Sequence, residues 1–188
     1  MKTPVRAPQS PSRRNAVTTI GITAAGAALP SLVLAQAKEL KIGFLLPLTG
    51  GFAESGQLIK SAIDMAIEEI NSKGGIKSTG AKLVPVYGNS SSPDEANTET
   101  IRMISNEKVS AIMGAYSSGA TISSTVIAER AQVPYVVPNA LADEITERGL
   151  KYVFKTVPHF SQFAINGAQM VKDMSAKSNR PVKTVSLV

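Results

Sequence analysis

Gly114-Ala115-Tyr116-Ser117-Ser118-Gly119-Ala120-Thr121 decides the fold, because this stretch lies where an apolar segment gives way to a helical pattern. The residues before it, Val109–Met113, are short and mostly apolar, which is typical of a buried strand. The segment after it, Ile122–Arg130, predicts a helix. The apolar face predicted for that helix is formed by Ile122, Val126 and Ile127. We therefore interpret the stretch as a strand-to-helix turn.

The two serines of this turn favour the start of a helix. Ser117 or Ser118 is expected to be the N-cap, since a hydroxyl oxygen there accepts an N–H of the first helical turn. A helix N-terminus also presents unpaired N–H groups and a partial positive charge, which suit a carboxylate. Two interpretations stay open here: the serines only cap the helix, or they also bind an anion.

Length, composition and charge limit the classes of protein to consider. The 188 residues provide for one domain, or for one and part of a second, and 43% of them are hydrophobic. The chain has no cysteine, which excludes disulfides, thiolate metal ligands and cysteine nucleophiles. Four of the 20 basic residues lie in the first 37 positions, which carry no acid. The remainder has 16 basic and 14 acidic residues, so we expect no nucleic-acid partner.

Residues 1–37 have the three parts of a signal peptide. Met1–Arg14 is basic and polar, Ala16–Leu34 is small and apolar, and Ala35-Gln36-Ala37 has the form of a cleavage site. Ser12-Arg13-Arg14 resembles part of a twin-arginine signal, and the general secretion route stays open beside it. We expect export to the periplasm with cleavage near Ala37; an uncleaved membrane anchor is the alternative.

Strand and helix patterns alternate along the rest of the chain. The predicted strands are 40–46, 83–87, 109–113, 133–137, 152–157 and 182–188. The predicted helices are 57–71, one starting at Pro93, 122–130, a short one at 143–148, and 160–177. Pro85 in the second strand indicates an edge position or an irregularity. This alternation predicts an α/β fold, a parallel sheet with helices on both faces.

Three small, polar loops follow predicted strands and are the candidate ligand site. They are Leu48–Gly56, Gly114–Thr121 and Pro138–Ala142. In open α/β sheets, ligands bind at the carboxyl ends of the strands, near the point where the strand order reverses.

Signatures of catalysis are weak in this sequence. His159 is the one histidine, and it follows a proline at the start of a helix, where a capping or solvated role is usual. No His/Asp/Glu spacing indicates a metal site, and Gly50–Gln57 lacks the Gly-Lys-Ser/Thr ending of a phosphate loop. We therefore expect no enzyme, no catalytic residue, no metal and no cofactor.

From residue 40 onward the chain resembles the amino-terminal part of a type I periplasmic substrate-binding protein of an ABC importer, of the branched-chain amino acid (Leu/Ile/Val-binding) family. The matching phrases, in family order, are Ile42-Gly43, Pro47–Gly50, Ala66–Ile76, Ser92–Ala96, Gly114–Gly119, Ile127–Pro134, Thr146–Gly149 and Tyr152–Thr156. The resemblance implies two lobes that close on a ligand. Residues 38–157 would form the first lobe and 158–188 the start of an incomplete second lobe, so we expect either more chain or a partner to complete it.

The resemblance also implies site residues. The family binds the ligand carboxylate at a serine of this turn, which corresponds to Ser118, with Ser117 and Gly119 beside it. The amino-group binder corresponds to Asn139-Ala140-Leu141, where Leu141 replaces an expected threonine. Ser55 stands where some members place an aromatic residue. These two departures keep carboxylates without an α-amino group open beside branched-chain amino acids.

The function implied is that of an extracytoplasmic solute-binding component, which captures a small carboxylate or amino acid and delivers it to an ABC permease in the inner membrane. The alternatives are a sensory domain of the same fold, an exported hydrolase or oxidoreductase, and a truncated remnant without function.

Overall fold

The computed structural model describes residues 38–178 and 183–184. The expected signal peptide therefore lies outside the described residues. So does the predicted sixth strand at 182–188, apart from Lys183 and Thr184, which have no regular structure.

Five strands and five helices alternate along the described chain. In order they are β1 (Glu39–Leu46), α1 (Ala53–Ser72), β2 (Lys82–Asn89), α2 (Pro93–Arg102), β3 (Ala111–Met113), α3 (Ser118–Arg130), β4 (Tyr135–Val137), α4 (Glu144–Glu147), β5 (Val153–Lys155) and α5 (Phe160–Lys177). A 3₁₀ turn at Gly50–Phe52 precedes α1, and a π-helical turn at Met103–Glu107 extends α2.

All the strand pairs are parallel, and the order across the sheet is β2-β1-β3-β4-β5. The predicted α/β class and parallel sheet are confirmed. The order reverses between β1 and β3, because β2 lies on one side of β1 and every later strand on the other. Ligand sites in open parallel sheets form at such a reversal.

Each face of the sheet is covered by helices, and β1 shows how its side chains divide between them. Phe44 and Leu46 point to the face covered by α1 and pack near Ile67. Leu45 points to the opposite face and belongs to the larger cluster, which includes Met103 from the π-helical turn after α2. This alternation follows from the two-residue period of a strand.

The buried face of α3 differs from the predicted one. Ile122, Val126 and Ile127 are only partly buried, whereas small and hydroxyl residues are fully buried. The buried set is Ala120, Thr121, Ser124, Thr125 and Ala128. Their hydroxyls donate to carbonyls one turn back; Ser124 Oγ, for example, lies 2.7 Å from Ala120 O. Such bonds satisfy the hydroxyls inside the helix, so small residues can pack against α2, while Ile122 still packs against the core cluster.

Helix α1 begins at Ala53, four residues before the predicted start. The sequence indicated a loop as far as Gly56, but this glycine is buried in the first turn. A Cβ at Gly56 would lie 2.7 Å from the carbonyl carbon of Pro47 and closer still to its oxygen. The glycine is therefore required by the close approach of the helix to the end of β1, not by flexibility.

The outer edge of β2 is bonded to side chains, and the edge position indicated by Pro85 is confirmed. The Asn71 amide pairs with Leu83 like a neighbouring strand: Nδ2 donates to Leu83 O and Oδ1 accepts Leu83 N–H, both at 2.8 Å. Further along, Arg102 donates to Tyr87 O at 2.8 Å.

Helix α5 has the predicted bounds, Phe160–Lys177, but none of its residues is buried. Its large apolar side chains are exposed, namely Phe160, Phe163, Ile165, Met170, Val171 and Met174. Over the range the structure describes, no helix is both long enough and apolar enough to span a membrane.

Candidate functional site

The N-terminus of α3 lies at the carboxyl edge of the sheet, directly after β3. Ser117 is its N-cap: the Oγ accepts Ala120 N–H at 3.3 Å, and the carbonyl accepts Thr121 N–H at 3.0 Å. The N–H groups of Ser118 and Gly119, in the first turn, have no carbonyl one turn back to bond. These two donors and the helix dipole make the turn a suitable site for a carboxylate.

Ser118 connects this turn with the loop after β4. Its Oγ accepts the Ala142 N–H at 3.3 Å. Ser118, Leu141 and Ala142 line one open depression of about 420 Å³, which also involves the start of α5 at Phe160. The structure therefore brings together Ser118 and Leu141, two of the residues predicted for the site.

Lys155, at the end of β5, holds the loop after β4 in place. Its Nζ donates to Leu141 O at 2.7 Å and to Ala142 O at 3.0 Å. Burial lowers the pKa of Lys155, while the carboxylates of Asp143 and Glu147 act in the opposite direction. This role is not apparent from the sequence, because a lysine at the end of a strand usually has a solvated side chain.

The other predicted site residues occupy different positions. Asn139 is exposed and lines a second cavity of about 140 Å³. Ala140 is 1% exposed and packs in the core, so only its backbone could face a ligand. Gly119 is exposed, and Ser55 lies half-buried in the first turn of α1. Ser55, Gly119 and Ala140 line neither this cavity nor the depression beside Ser118.

Tyr116 was not singled out by the sequence, although it lies within the decisive stretch. It lines the 140 Å³ cavity, whose other walls are largely apolar and include Leu46 and Ile59. Its ring lies 5.2 Å from that of Phe52, centroid to centroid, at an angle of 41°. Phe52 is 57% exposed, so this aromatic pair stands at the surface of the site. An apolar cavity beside an aromatic pair suits an alkyl chain or a ring.

A polar network joins the loops after β1 and β2. The side chain of Asn89 accepts Leu48 N–H at 2.9 Å and donates to Thr49 Oγ1 at 2.8 Å. Ser91 Oγ donates to Thr49 O at 2.6 Å. These bonds fix the loop that carries Phe52, because they span about 40 residues of sequence.

The charged groups near the site belong to the segment that leads into α5. Asp143 lines the depression beside Ser118. Its Oδ1 accepts Ser161 N–H at 3.3 Å, and hydrogen bonding to Ser161 lowers the pKa of this carboxyl. His159 lies 3.8 Å from the same oxygen. Within residues 38–178 and 183–184, no three His, Asp or Glu side chains are grouped so that they could hold a metal ion.

The comparisons with known proteins agree with this geometry. The sequence profile of the periplasmic binding protein family matches residues 39–182. The chain belongs to this family. Curated relatives of this periplasmic binding protein include Leu/Ile/Val-binding protein homolog 7 of Brucella abortus, 37% identical over 155 residues. Homolog 8 of the same species is 37% identical over 147 residues.

Solved structures of the family superpose on the described lobe. The branched-chain amino acid substrate-binding protein LivJ from Streptococcus pneumoniae, in complex with isoleucine, is 32% identical with a TM-score of 0.60. It matches 65% of this chain and 34% of its own. A solute-binding protein of Rhodopseudomonas palustris, in complex with 3,4-dihydroxybenzoic acid, is 29% identical with a TM-score of 0.62. It matches 74% of this chain and 36% of its own.

The periplasmic binding protein described here spans only part of these relatives. The match covers 82% of this chain but 37% of homolog 7, and 78% of this chain but 36% of homolog 8.

Proposed function

We propose that the chain is the first lobe of an extracytoplasmic solute-binding component of an ABC transporter, and that it binds the carboxylate of a small ligand. The observation that carries this proposal is the N-terminus of α3, where the first turn has unpaired N–H donors and Ser118 Oγ contacts the loop after β4. Such a terminus attracts a carboxylate through its N–H groups and dipole. Family membership supports a binding role, and we propose no catalytic residue.

The ligand is proposed to be a carboxylate with an apolar body. The cavity beside Tyr116 supplies apolar walls for that body. The solved relatives named above hold isoleucine or 3,4-dihydroxybenzoic acid. Leu141 provides no side-chain oxygen for an ammonium group, so acids without an amino group are candidates equal to branched-chain amino acids.

The transport partner is proposed to be an ABC permease in the inner membrane. The solved relatives are described as substrate-binding or solute-binding proteins of ABC transporters. Residues 1–37 are proposed to direct export to the periplasm and to be cleaved near Ala37. A second lobe, needed to enclose the ligand, is part of this proposal.

The experiment uses the protein at its native length, purified from the periplasm. Calorimetric titration with leucine, isoleucine, 4-hydroxybenzoate and 3,4-dihydroxybenzoate identifies a ligand. Ser118→Ala is expected to weaken its binding about 10- to 100-fold, because one charge-assisted hydrogen bond contributes about 1.5–3 kcal/mol. The control is Ser123→Ala in the same helix, whose hydroxyl donates to Ala120 O at 3.1 Å and should not affect binding.

A second control changes the ligand. The primary amide of the same ligand has no negative charge, so Ser118→Ala should alter its affinity far less than that of the acid. Equal weakening of acid and amide would mean that Ser118 shapes the loop instead of binding the carboxylate. If none of the acids binds the wild-type protein, the proposed function is wrong.

A further inference from the structure

A third, smaller cavity lies beside the carboxylate-binding turn and has no role in the function proposed so far. Its volume is about 70 Å³. It lies between the loop after β1, the loop after β2 and the turn before α3, and its walls include Thr49, Phe52, Ser90, Tyr116 and Ser117. Ser117, one of these wall residues, immediately precedes Ser118 in the chain.

Ser90 is a wall residue of this cavity, and its hydroxyl group is buried. The residue is 2% exposed, and its Oγ has no hydrogen-bond partner among the residues the structure describes. Its backbone is fixed, since Ser90 N–H donates to Leu46 O at 2.8 Å. A buried hydroxyl without a partner is unfavourable, and native proteins rarely leave one unsatisfied. The neighbouring hydroxyls of Thr49 and Ser91 are bonded to each other, at 3.0 Å, and do not satisfy it.

The cavity suits an uncharged polar group. None of its nine lining residues carries a charge, so an ionised group would find no counter-ion there. The Phe52 and Tyr116 rings, both in the lining, supply apolar surface. A hydroxyl fits this volume, and it can both donate to Ser90 Oγ and accept from it.

We propose that the cavity is a specificity subsite for a hydroxyl group of the bound carboxylate, with Ser90 Oγ as its hydrogen-bond partner. The proposal rests on the proposed function, because the subsite needs a ligand anchored at Ser118. Ser117 and Tyr116 make the connection: both line the small cavity, and Tyr116 also lines the apolar one. A ligand anchored at the turn, with its body against Tyr116, would thus have its hydroxyl near Ser90.

The test compares ligands that differ only in hydroxyl groups. Benzoate, 4-hydroxybenzoate and 3,4-dihydroxybenzoate are titrated by calorimetry into the native-length protein, and into its Ser90→Ala and Ser123→Ala variants. Ser90→Ala is expected to weaken at least one hydroxylated acid about tenfold, the effect of one hydrogen bond, and to leave benzoate unchanged. Ser123→Ala should change none of them. The melting temperature of ligand-free Ser90→Ala should not fall, because the hydroxyl bonds none of the described residues.

Other results would overturn the subsite. Equal weakening of benzoate and the hydroxylated acids would indicate a distorted turn, and no weakening at all would remove the role of Ser90. A lower melting temperature with unchanged affinities would mean that Ser90 bonds a structural water. If leucine or isoleucine binds and no hydroxylated acid does, the proposed function holds and the subsite is wrong. If no carboxylate binds, both proposals fail.

Discussion

Lys155→Met tests whether a partly buried ammonium group holds the loop that contacts Ser118. Methionine keeps the length and apolar stem of lysine but removes the three N–H donors. In the wild-type chain the Lys155 Nζ donates to two successive carbonyls, those of Leu141 and Ala142. The substitution should therefore release this loop and destabilise the lobe.

The size of the effect follows from the bonds that are lost and those that remain. Hydrogen bonds to a charged group contribute about 1.5–3 kcal/mol each, so the two from Lys155 set an upper range of about 3–6 kcal/mol. Both carbonyls keep another donor: Phe160 N–H lies 2.9 Å from Leu141 O, and Ile145 N–H lies 3.3 Å from Ala142 O. Burial of the ammonium, which lowers the pKa of Lys155, offsets a further part. We expect a net loss of about 2 kcal/mol.

Thermal unfolding followed by circular dichroism measures this loss. For a domain of this size, about 2 kcal/mol corresponds to a melting temperature lower by about 4–8 °C. The control is Lys151→Met, since Lys151 is exposed four residues earlier and should change stability by less than about 0.5 kcal/mol. If the two variants melt at the same temperature, the ammonium does not hold the loop and the reasoning is refuted.

Two further predictions concern stability. Gly56→Ala should destabilise the protein by about 1–3 kcal/mol or more, because the added Cβ meets the Pro47 carbonyl, whereas Gly51→Ala meets nothing within 4 Å; melting of the two variants side by side decides this. The Glu129 carboxylate accepts two backbone N–H groups just before β5, which lowers its pKa below the usual 4.5. The stabilisation is therefore full above pH 4.5 and is lost as the pH falls through the lowered value. Wild-type and Glu129→Gln melting temperatures should differ at pH 6 and converge on acidification; a constant difference would contradict this.

Local signals in the sequence predicted the elements whose ends are set by adjacent residues. Ser92 followed by Pro93 predicted the start of α2, and the Ser92 Oγ indeed accepts Glu95 N–H at 3.2 Å. A cap of this kind depends on side chains within three residues, so sequence alone suffices. The same holds for the turn before α3, where the structure identifies Ser117 as the cap.

Contacts between distant segments could not be predicted in this way. Gly56 indicated a loop, because nothing in its neighbourhood reveals that the Pro47 carbonyl approaches it in a helix. Ser90 belongs to a run of small polar residues, which indicates a turn. Only the packing of three loops shows that its hydroxyl is buried. The sequence of α5 does not reveal whether its apolar residues are buried, and the structure leaves them exposed, since burial of a helix depends on which segments cover it.

Side chains are bonded to the outer edge of β2, and they affect how a strand of another molecule could pair there. A strand at the edge of a sheet has unpaired backbone N–H and C=O groups that can bond a strand of another molecule. Many proteins polymerise in this way. Here Leu83 is already bonded to Asn71, Tyr87 O is bonded to Arg102, and Pro85 between them has no N–H to donate. An incoming strand would have to displace Asn71 and Arg102 to bond Leu83 and Tyr87 O, and it would find no donor at Pro85. This rim of the sheet therefore disfavours strand addition, which is one way of limiting polymerisation at high concentration.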